Sequence, residues 1–269
     1  MIFFNRLILV LLIATSCKSL GQLKVVGSVN NGLQEVSAAE KDLKENLLWV
    51  IQDRGNDNDL IALEMDGSIA RSIKIENAEN EDWEDLTTDD EGNIYIGDFG
   101  NNSEKRKKFT IYKVKYEDLN KKSANAEIIE FTLPKKQDSK DFESFFLLNN
   151  HFYIISKEKN KFVVLKVKNE AGKQEAKVHT KHDLKGKNNK ITSADISDDG
   201  KTIVLLNHDK LWKIDNFKDD DFFEGDLKEL EFDHDSQKEG ICFDSNNKVI
   251  ITDERNGDEG GNIYTFSID

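Results

Sequence analysis

Residues 84–98, EDLTTDDEGNIYIGD, carry the pattern that decides the fold. The acidic residue Glu84 opens a short strand, a turn follows, and a second strand ends at Asp98. The same pattern occurs in four further segments, which begin at Glu35, Glu143, Ser193 and Glu239 and whose second strands end at Asp53, Ser156, Asn207 and Asp253. Similarity that recurs at a regular period and is built from short strands is typical of a β-propeller.

The spacing of the repeats sets the number of blades. The five starting positions are separated by 49, 59, 50 and 46 residues. A four-stranded blade takes about 40–50 residues, so no interval has room for a second blade. The sequence therefore predicts five blades, and six is the alternative if one blade is too degenerate to be recognised.

The fifth repeat ends after its third strand, because the chain stops at Asp269. The β-branched segment LKVVGSV at residues 23–29 has no other assignment and can supply the missing outer strand. Pairing of this segment with residues 262–268 would close the ring and remove an exposed sheet edge. We therefore predict an all-β chain with a single propeller domain at residues 23–269.

The first residues have the features of a targeting segment. LILVLLIAT is an apolar stretch too short to span a bilayer as a helix. ATSC at residues 14–17 resembles a bacterial lipobox, which predicts a signal peptide at residues 1–16, lipidation of Cys17 and a tether at residues 17–22. Cleavage after residue 21 is the alternative and would leave a soluble secreted or periplasmic protein. Both cleavage sites predict an extracytoplasmic protein. In the lipoprotein alternative, the lipid is the protein's only attachment to the membrane.

The charge balance narrows the range of partners. The chain has 38 Lys and Arg against 52 Asp and Glu, a formal net charge of −14. Such a surface repels nucleic acid and anionic membranes. We expect a monomer that binds a small anionic ligand or an envelope protein, and no nucleic acid.

Repetition around a ring gathers the polar residues at equivalent positions. The start of the first strand and the end of the second lie at the same face of a propeller, near its axis. Crowded carboxylates repel one another, and a hard cation with oxygen ligands relieves the repulsion. Hydrogen bonds to neighbouring blades are the alternative explanation for such residues. The predicted calcium ligands are Glu35, Glu84, Glu143, Glu239, Asp53, Asp98 and Asp253.

Several basic residues follow the second strands directly. They are predicted to lie at the rim of the same face, where they would favour a phosphate or carboxylate ligand. Solvated loop residues are the alternative interpretation. These predicted ligand-binding residues are Arg54, Lys157, His208 and Arg255.

With these residues in view, the chain resembles the SdiA-regulated (YjiK-like) propeller family of bacterial envelope proteins. The resemblance covers most of residues 34–269 and rests on QEVSAA, DWEDLTTDDEGNIYIGDFGN, DFESFF, ITSADISDDGKTIVLLN and QKEGICFDSNNKVIITDERN. DWEDL departs from the family's usual D-x-E-G-I in the second blade. The resemblance implies an extracytoplasmic propeller with a metal in its central opening, and it implies no particular reaction.

Two classes of function follow from these predictions. The first is a ligand-binding or interaction module of the cell envelope. The second is a calcium-dependent hydrolase of the phosphoesterase, nucleotidase or lactonase type, with its site at the upper mouth of the channel. In the hydrolase, Glu84 or Asp98 would be the base and His208 the acid.

Overall fold

The computed structural model describes residues 22–42, 44–257 and 259–269. The predicted signal peptide, the lipidation site Cys17 and most of the tether lie outside these residues. Within the described part of the chain, no helix is both long and apolar enough for a membrane crossing.

The described strands form five antiparallel blades, which confirms the predicted five-bladed propeller. The innermost strands of the blades contact one another in a closed cycle. The chain begins with β1 Lys24–Ser28, and blade 1 then has the strands β2 Glu40–Lys41, β3 Leu48–Val50, β4 Asp59–Leu63 and β5 Ile69–Ile75. Blade 2 has β6 Trp83–Thr88, β7 Ile94–Asp98, β8 Lys108–Val114 and, after the short β9 Ser123–Ala124, β10 Glu127–Thr132, and blade 3 has β11 Phe142–Leu148, β12 His151–Ser156, β13 Lys161–Lys168 and, after β14 Gly172–Glu175, β15 Lys177–Asp183. Blade 4 has β16 Ser193–Ile196, β17 Ile203–Leu206, β18 Lys210–Asp215 and β19 Asp226–Glu231, and blade 5 has β20 Lys238–Ser245, β21 Lys248–Asp253 and, after the hairpin strands β22 Arg255–Asn256 and β23 Glu259–Gly260, β24 Asn262–Ser267. Two 3₁₀ helices lie at Tyr116–Asp118 and Phe222–Glu224.

The N-terminal strand closes the ring as predicted. β1 pairs antiparallel with β24, with Lys24 opposite Thr265 and Ser28 opposite Asn262. Blade 5 therefore takes its outer strand from the start of the chain and its other three from the end. A Cβ at Gly27 would lie 2.3 Å from the carbonyl oxygen of Met65, so only glycine allows β1 to approach blade 1 this closely.

Two outer blade edges are covered by strands that the repeat pattern does not predict. β9 pairs parallel with β5 at the edge of blade 1, and β14 pairs parallel with β10 at the edge of blade 2. Each covering strand comes from a connection in the following blade. Unpaired edge strands promote aggregation, and these additions satisfy backbone groups that would otherwise be open.

The apolar core is divided among the interfaces between neighbouring blades. Each of the five hydrophobic clusters takes side chains from two adjacent sheets. Trp83 packs between blades 1 and 2, Phe145 between blades 2 and 3, and Trp212 between blades 3 and 4, and all three are fully buried. Because the blades bury their apolar faces against each other, the axis is left to polar groups.

Asp85 on β6 links the inner strands at the axis. Its fully buried carboxylate accepts hydrogen bonds from the backbone N–H of Phe145 (3.1 Å) and Ala194 (3.2 Å), and from Ser193 Oγ (2.9 Å). One side chain of blade 2 thus holds the inner strands of blades 3 and 4. Asp85 thus forms hydrogen bonds to neighbouring blades. For a polar residue near the axis, this structural role is the alternative to metal binding.

Candidate functional site at the upper mouth of the channel

Three glutamates occupy β-bulges at the start of inner strands. We call this end of the propeller the upper mouth. Glu84, Glu143 and Glu239 are each the extra residue between two regular pairs of the first and second strands of their blade. The flanking pairs are Trp83–Asp98 and Asp85–Gly97, Phe142–Ser156 and Ser144–Ile155, and Lys238–Asp253 and Gly240–Thr252. A bulge turns its extra side chain out of the regular alternation of the sheet.

These glutamates line one small cavity of about 220 Å³. Five of the seven predicted metal ligands are among its lining residues, namely Glu35, Asp53, Glu84, Glu143 and Glu239. Glu254, which was not predicted, also lines it, and Lys157 brings a positive charge to the wall. The repeat pattern therefore does bring these carboxylates together, whereas their role as metal ligands stays a prediction.

Burial and mutual repulsion raise the pKa values of the carboxyl groups at this mouth. Burial, followed by the charges of Glu143 and Asp53, raises the pKa of Glu84 well above its ordinary value. Burial also raises the pKa of Glu143 to about 8, although the ammonium group of Lys157 opposes the shift. The pKa of Glu254 rises to about 6 because of burial and the nearby Glu239 and Glu35. The carboxyl groups of the site are therefore harder to ionise than free ones, because burial and mutual repulsion outweigh the charge of Lys157.

Asp53, Asp82 and Glu84 form the tightest carboxylate cluster. One oxygen from each lies within 4.8 Å of the other two. Burial and the charge of Asp53 raise the pKa of Asp82 to about 7. Its Oδ1 is buried and has no hydrogen-bond partner among the described residues. A Cβ at Gly100 would lie 2.0 Å from Glu84 Oε1, so any larger residue at this position would displace the side chains of the cluster.

Sequence reasoning missed Asp82 because it stands outside the repeat-equivalent positions. It lies two residues before Glu84, at the first position of the DWEDL segment, where it matches the Asp of the family's D-x-E-G-I. That match was the available signal, since it puts a second acid beside a position already assigned to metal.

Two predicted ligands are held by neighbouring groups and do not line the cavity. Asp98 Oδ1 accepts from Arg106 Nη1 at 2.9 Å and from the backbone N–H of Asp82 at 3.1 Å. Burial raises the pKa of Asp98 to about 6 against the opposing charge of Arg106. Asp253 accepts from Tyr264 Oη at 2.7 Å and from the backbone N–H of Asn262 at 2.6 Å. Asp253 thus joins the second and third strands of blade 5, whereas Asp98 joins the end of β7 to the residue before β6 and to the connection that precedes β8.

The four predicted basic residues divide into two pairs. Lys157 Nζ lies 3.1 Å from Glu143 Oε2, and His208 Nε2 lies 3.1 Å from Glu239 Oε1. Burial lowers the pKa of Lys157, but the charges of Glu239 and Glu143 outweigh it and leave the pKa raised. Arg54 is mostly exposed, with Nε 3.8 Å from Asp82, and Arg255 donates from Nη2 to the carbonyl of Val29 at 2.8 Å. The structure places Lys157 and His208 beside carboxylates of the site, whereas Arg255 is bound to the backbone at Val29.

A second, basic cavity adjoins the acidic one. It has a volume of about 520 Å³ and shares Lys157 with the first. Its described lining includes four lysines, His208 and four asparagines, namely Lys157, Lys159, Lys187, Lys190, Asn160, Asn188, Asn189 and Asn207. Asn189 Oδ1 and Asp209 Oδ1 are buried there without a hydrogen-bond partner among the described residues. The upper mouth thus combines a carboxylate cluster with a cationic cavity that has unused acceptors.

Comparison with known proteins agrees with the fold. The family model described as SdiA-regulated matches residues 21–256. A comparison with curated proteins found none that matches the sequence significantly. Among solved structures, the gluconolactonase XC5397 from Xanthomonas campestris is similar with a TM-score of 0.53 at 8% identity, over 91% of this chain and 89% of that one. The PQQ-bound aldose sugar dehydrogenase from Streptomyces coelicolor has a TM-score of 0.50 at 9% identity, over 92% of this chain and 98% of that one.

At such low identities the two structures establish a shared propeller architecture and carry no evidence on activity. The family match covers most of the chain and agrees with the resemblance found in the residues themselves. The chain belongs to the SdiA-regulated family.

Proposed function

We propose that this protein is an extracytoplasmic propeller that binds calcium at its upper mouth and uses the bound ion to hold a small anionic ligand. One observation carries the proposal. Carboxylates from several blades converge on a 220 Å³ cavity whose described basic lining is Lys157. An oxygen-only ligand set of this kind suits a hard cation, and calcium accepts six to eight oxygens in flexible geometry.

Asp53, Asp82 and Glu84 fit the role of direct ligands. Two oxygens that each lie about 2.4 Å from one calcium ion are at most about 4.8 Å apart. The oxygens of this cluster meet that limit. Asp82 Oδ1, which has no hydrogen-bond partner among the described residues, would gain the ion as a partner, and the raised pKa values would fall because the cation favours the ionised carboxylates. Glu35 and Glu239 would then border the side of the site that faces the ligand.

The adjoining cavity indicates the chemistry of the ligand. Its lysines favour an acid group, such as a carboxylate or phosphate. The unused acceptors of Asn189 and Asp209 favour hydroxyl donors on the same molecule. A small polyhydroxylated acid would satisfy both requirements, with its acid group beside Lys157 and the ion.

The second candidate function is hydrolysis of the lactonase type. The observation that favours it is the contact between His208 Nε2 and Glu239 Oε1, since in this function the imidazole beside Glu239 would be the proton donor. A bound ion would polarise the carbonyl of the scissile bond. Glu84 is better placed than Asp98 to act as base, because Asp98 is paired with Arg106. Gluconolactonases share the architecture, and a polyhydroxylated acid is what hydrolysis of a sugar lactone releases.

Calcium binding is tested first. Calcium that binds the folded state alone stabilises it by about 2.7 kcal/mol at a hundredfold excess over the dissociation constant. We expect a chelator to lower the melting temperature and calcium to restore it, while calorimetry shows saturable binding. Glu84→Gln should weaken both responses, whereas the exposed, matched change Glu64→Gln should leave them intact. A wild-type protein that calcium does not stabilise, or a Glu84→Gln variant that responds equally, would refute the calcium centre.

Binding and hydrolysis are then separated with the calcium-loaded protein. We expect it to bind sugar acids or sugar phosphates in calorimetry and to leave lactones, phosphate esters and nucleotides intact. Calcium-dependent turnover of one of these esters, lost in His208→Asn with calcium affinity retained, would establish the hydrolase instead.

The proposed location follows from residues 1–22 and from family membership. We propose that the propeller is a monomer outside the cytoplasm, held to the membrane by lipid on Cys17.

A further inference from the structure

A larger acidic cavity lies at the opposite end of the inner strands, which we call the lower mouth. It has a volume of about 490 Å³ and is lined by residues at the ends of the inner strands of several blades and in the turns that follow them. Six of its lining residues are acidic, namely Glu40, Asp89, Asp90, Asp195, Asp198 and Asp199. Within the described part of the chain, none of the lining residues is Lys or Arg. The lower mouth therefore attracts cations by a route separate from the upper site.

One carboxyl oxygen of Glu40 in this cavity lacks a hydrogen-bond partner among the described residues. It lies on β2 and is 5% exposed. Its Oε1 accepts from the backbone N–H of Lys41 at 3.0 Å, while its buried Oε2 has no hydrogen-bond partner among the described residues. The ammonium group of Lys41 pairs with Asp244 and so does not neutralise Glu40. A buried carboxyl in this state calls for a cation or another donor.

The other acids of this cavity accept hydrogen bonds or lie at its rim. Asp195 Oδ1 accepts from the backbone N–H of Ile196 and Oδ2 from that of Phe243, both at 2.8 Å. Asp89 accepts from Tyr95 Oη at 2.8 Å and from the side chain of Asn93. Asp198 is exposed at the rim. The cavity thus has one unsatisfied carboxyl at depth and further charges toward solvent.

The spacing of these acids argues against a dehydrated metal ion. Among the described residues, the one cluster of three carboxylates close enough to share an ion is Asp53, Asp82 and Glu84 at the upper mouth. The lower cavity instead has the size of a small-molecule site, about 300–1,000 Å³. Its wall includes Leu147, Leu148 and Phe243, which suit methylene groups.

We propose that the lower mouth binds a linear aliphatic polyamine. One terminal ammonium would reach Glu40, the methylene chain would lie along the apolar wall, and a second ammonium would meet Asp198 at the rim. Each ammonium then has a carboxylate partner, and the unsatisfied Oε2 of Glu40 gains a charge-assisted hydrogen bond.

Calorimetry with spermidine on the full-length protein tests the proposal. We expect saturable binding, a loss of affinity of about tenfold or more in Glu40→Gln, and a loss of about two- to fivefold in Asp198→Asn. Glu64→Gln is the matched control and should bind as the wild type does. Melting temperatures of all variants show whether they are folded, and the exposed Asp198→Asn provides a readout that does not depend on a buried position.

Three outcomes would overturn the proposal. Spermidine that gives no binding heat at millimolar concentration shows that the cavity takes no polyamine. Equal spermidine affinity in the wild type, Glu40→Gln and Asp198→Asn shows that any binding occurs elsewhere. Calcium that displaces spermidine, together with one fewer calcium site in Glu40→Gln, shows that the lower mouth is a metal site.

Discussion

Glu143→Gln should stabilise the calcium-free protein at neutral pH. The pKa of Glu143 is raised from 4.5 to about 8, mainly by burial, with Asp141 and Glu239 adding to the shift and Lys157 opposing it. Because the folded state binds this proton more tightly than the unfolded chain, the wild type loses stability as pH rises from about 4.5 to about 8. Glutamine has no proton to lose, and its amide oxygen can still accept from Lys157.

The size of the effect follows from the shift. One pKa unit corresponds to about 1.4 kcal/mol, and about 2.5 units separate pH 7 from the unfolded pKa. The variant should therefore gain at most about 3 kcal/mol at pH 7 and almost nothing at pH 4.5. At roughly 2–4 °C per kcal/mol for a domain of this size, the melting temperature should rise by about 6–12 °C.

Thermal melts in chelator from pH 4.5 to pH 8 measure this gap between the variant and the wild type. Saturating calcium should shrink or reverse it, since the cation favours the ionised carboxylate that only the wild type has. Glu64→Gln is the control and should follow the wild type at every pH. A Glu143→Gln variant that melts below the wild type in chelator at pH 7, or a gap that does not change with pH, would refute the reasoning.

Three further predictions concern the ring and its location. Deleting residues 22–30 should expose β24 and remove the contacts of this segment with the turn between β4 and β5, and a protein that stays monodisperse in size-exclusion chromatography and melts like the wild type would contradict the closure. Asp85→Asn cannot accept all three hydrogen bonds and should cost about 2–4 kcal/mol in chemical denaturation, where an unchanged midpoint would contradict the linking role of Asp85. Cys17→Ser should release the protein from the membrane fraction, and unchanged fractionation would contradict lipidation.

The ring was predictable because repetition multiplies a weak signal. A single strand such as β7 is only five residues long, but five equivalent strands at similar spacing specify a propeller and its closing strand. The covering strands β9 and β14 have two and four residues and no counterpart in other blades. Their parallel pairing depends on how the connections pack, so no periodic pattern announces them.

The convergence of the carboxylates was predictable from the same repetition. The exact register of blade 4 and the partners of individual carboxylates were not. Repeat equivalence placed Glu84, Glu143 and Glu239 together, because a shared bulge puts them in one position. In blade 4 the register differs from the sequence alignment by one residue. Ser193 pairs with Leu206 as Asp85 pairs with Gly97, so the bulge-equivalent residue there is Thr192. Partners that come from loops, such as Arg106 beside Asp98, follow no repeat.

The bulges have a consequence for how this scaffold changes over time. Each bulged glutamate is an extra residue outside the regular ladder pairing, so its side chain is separated from the pairing that holds the blade together. Selection, or a designer, could exchange these residues for histidine, serine or a neutral side chain while the strands keep their register. A ring that converges on one opening from positions of this kind is suited to acquiring a new chemistry while the architecture is inherited unchanged.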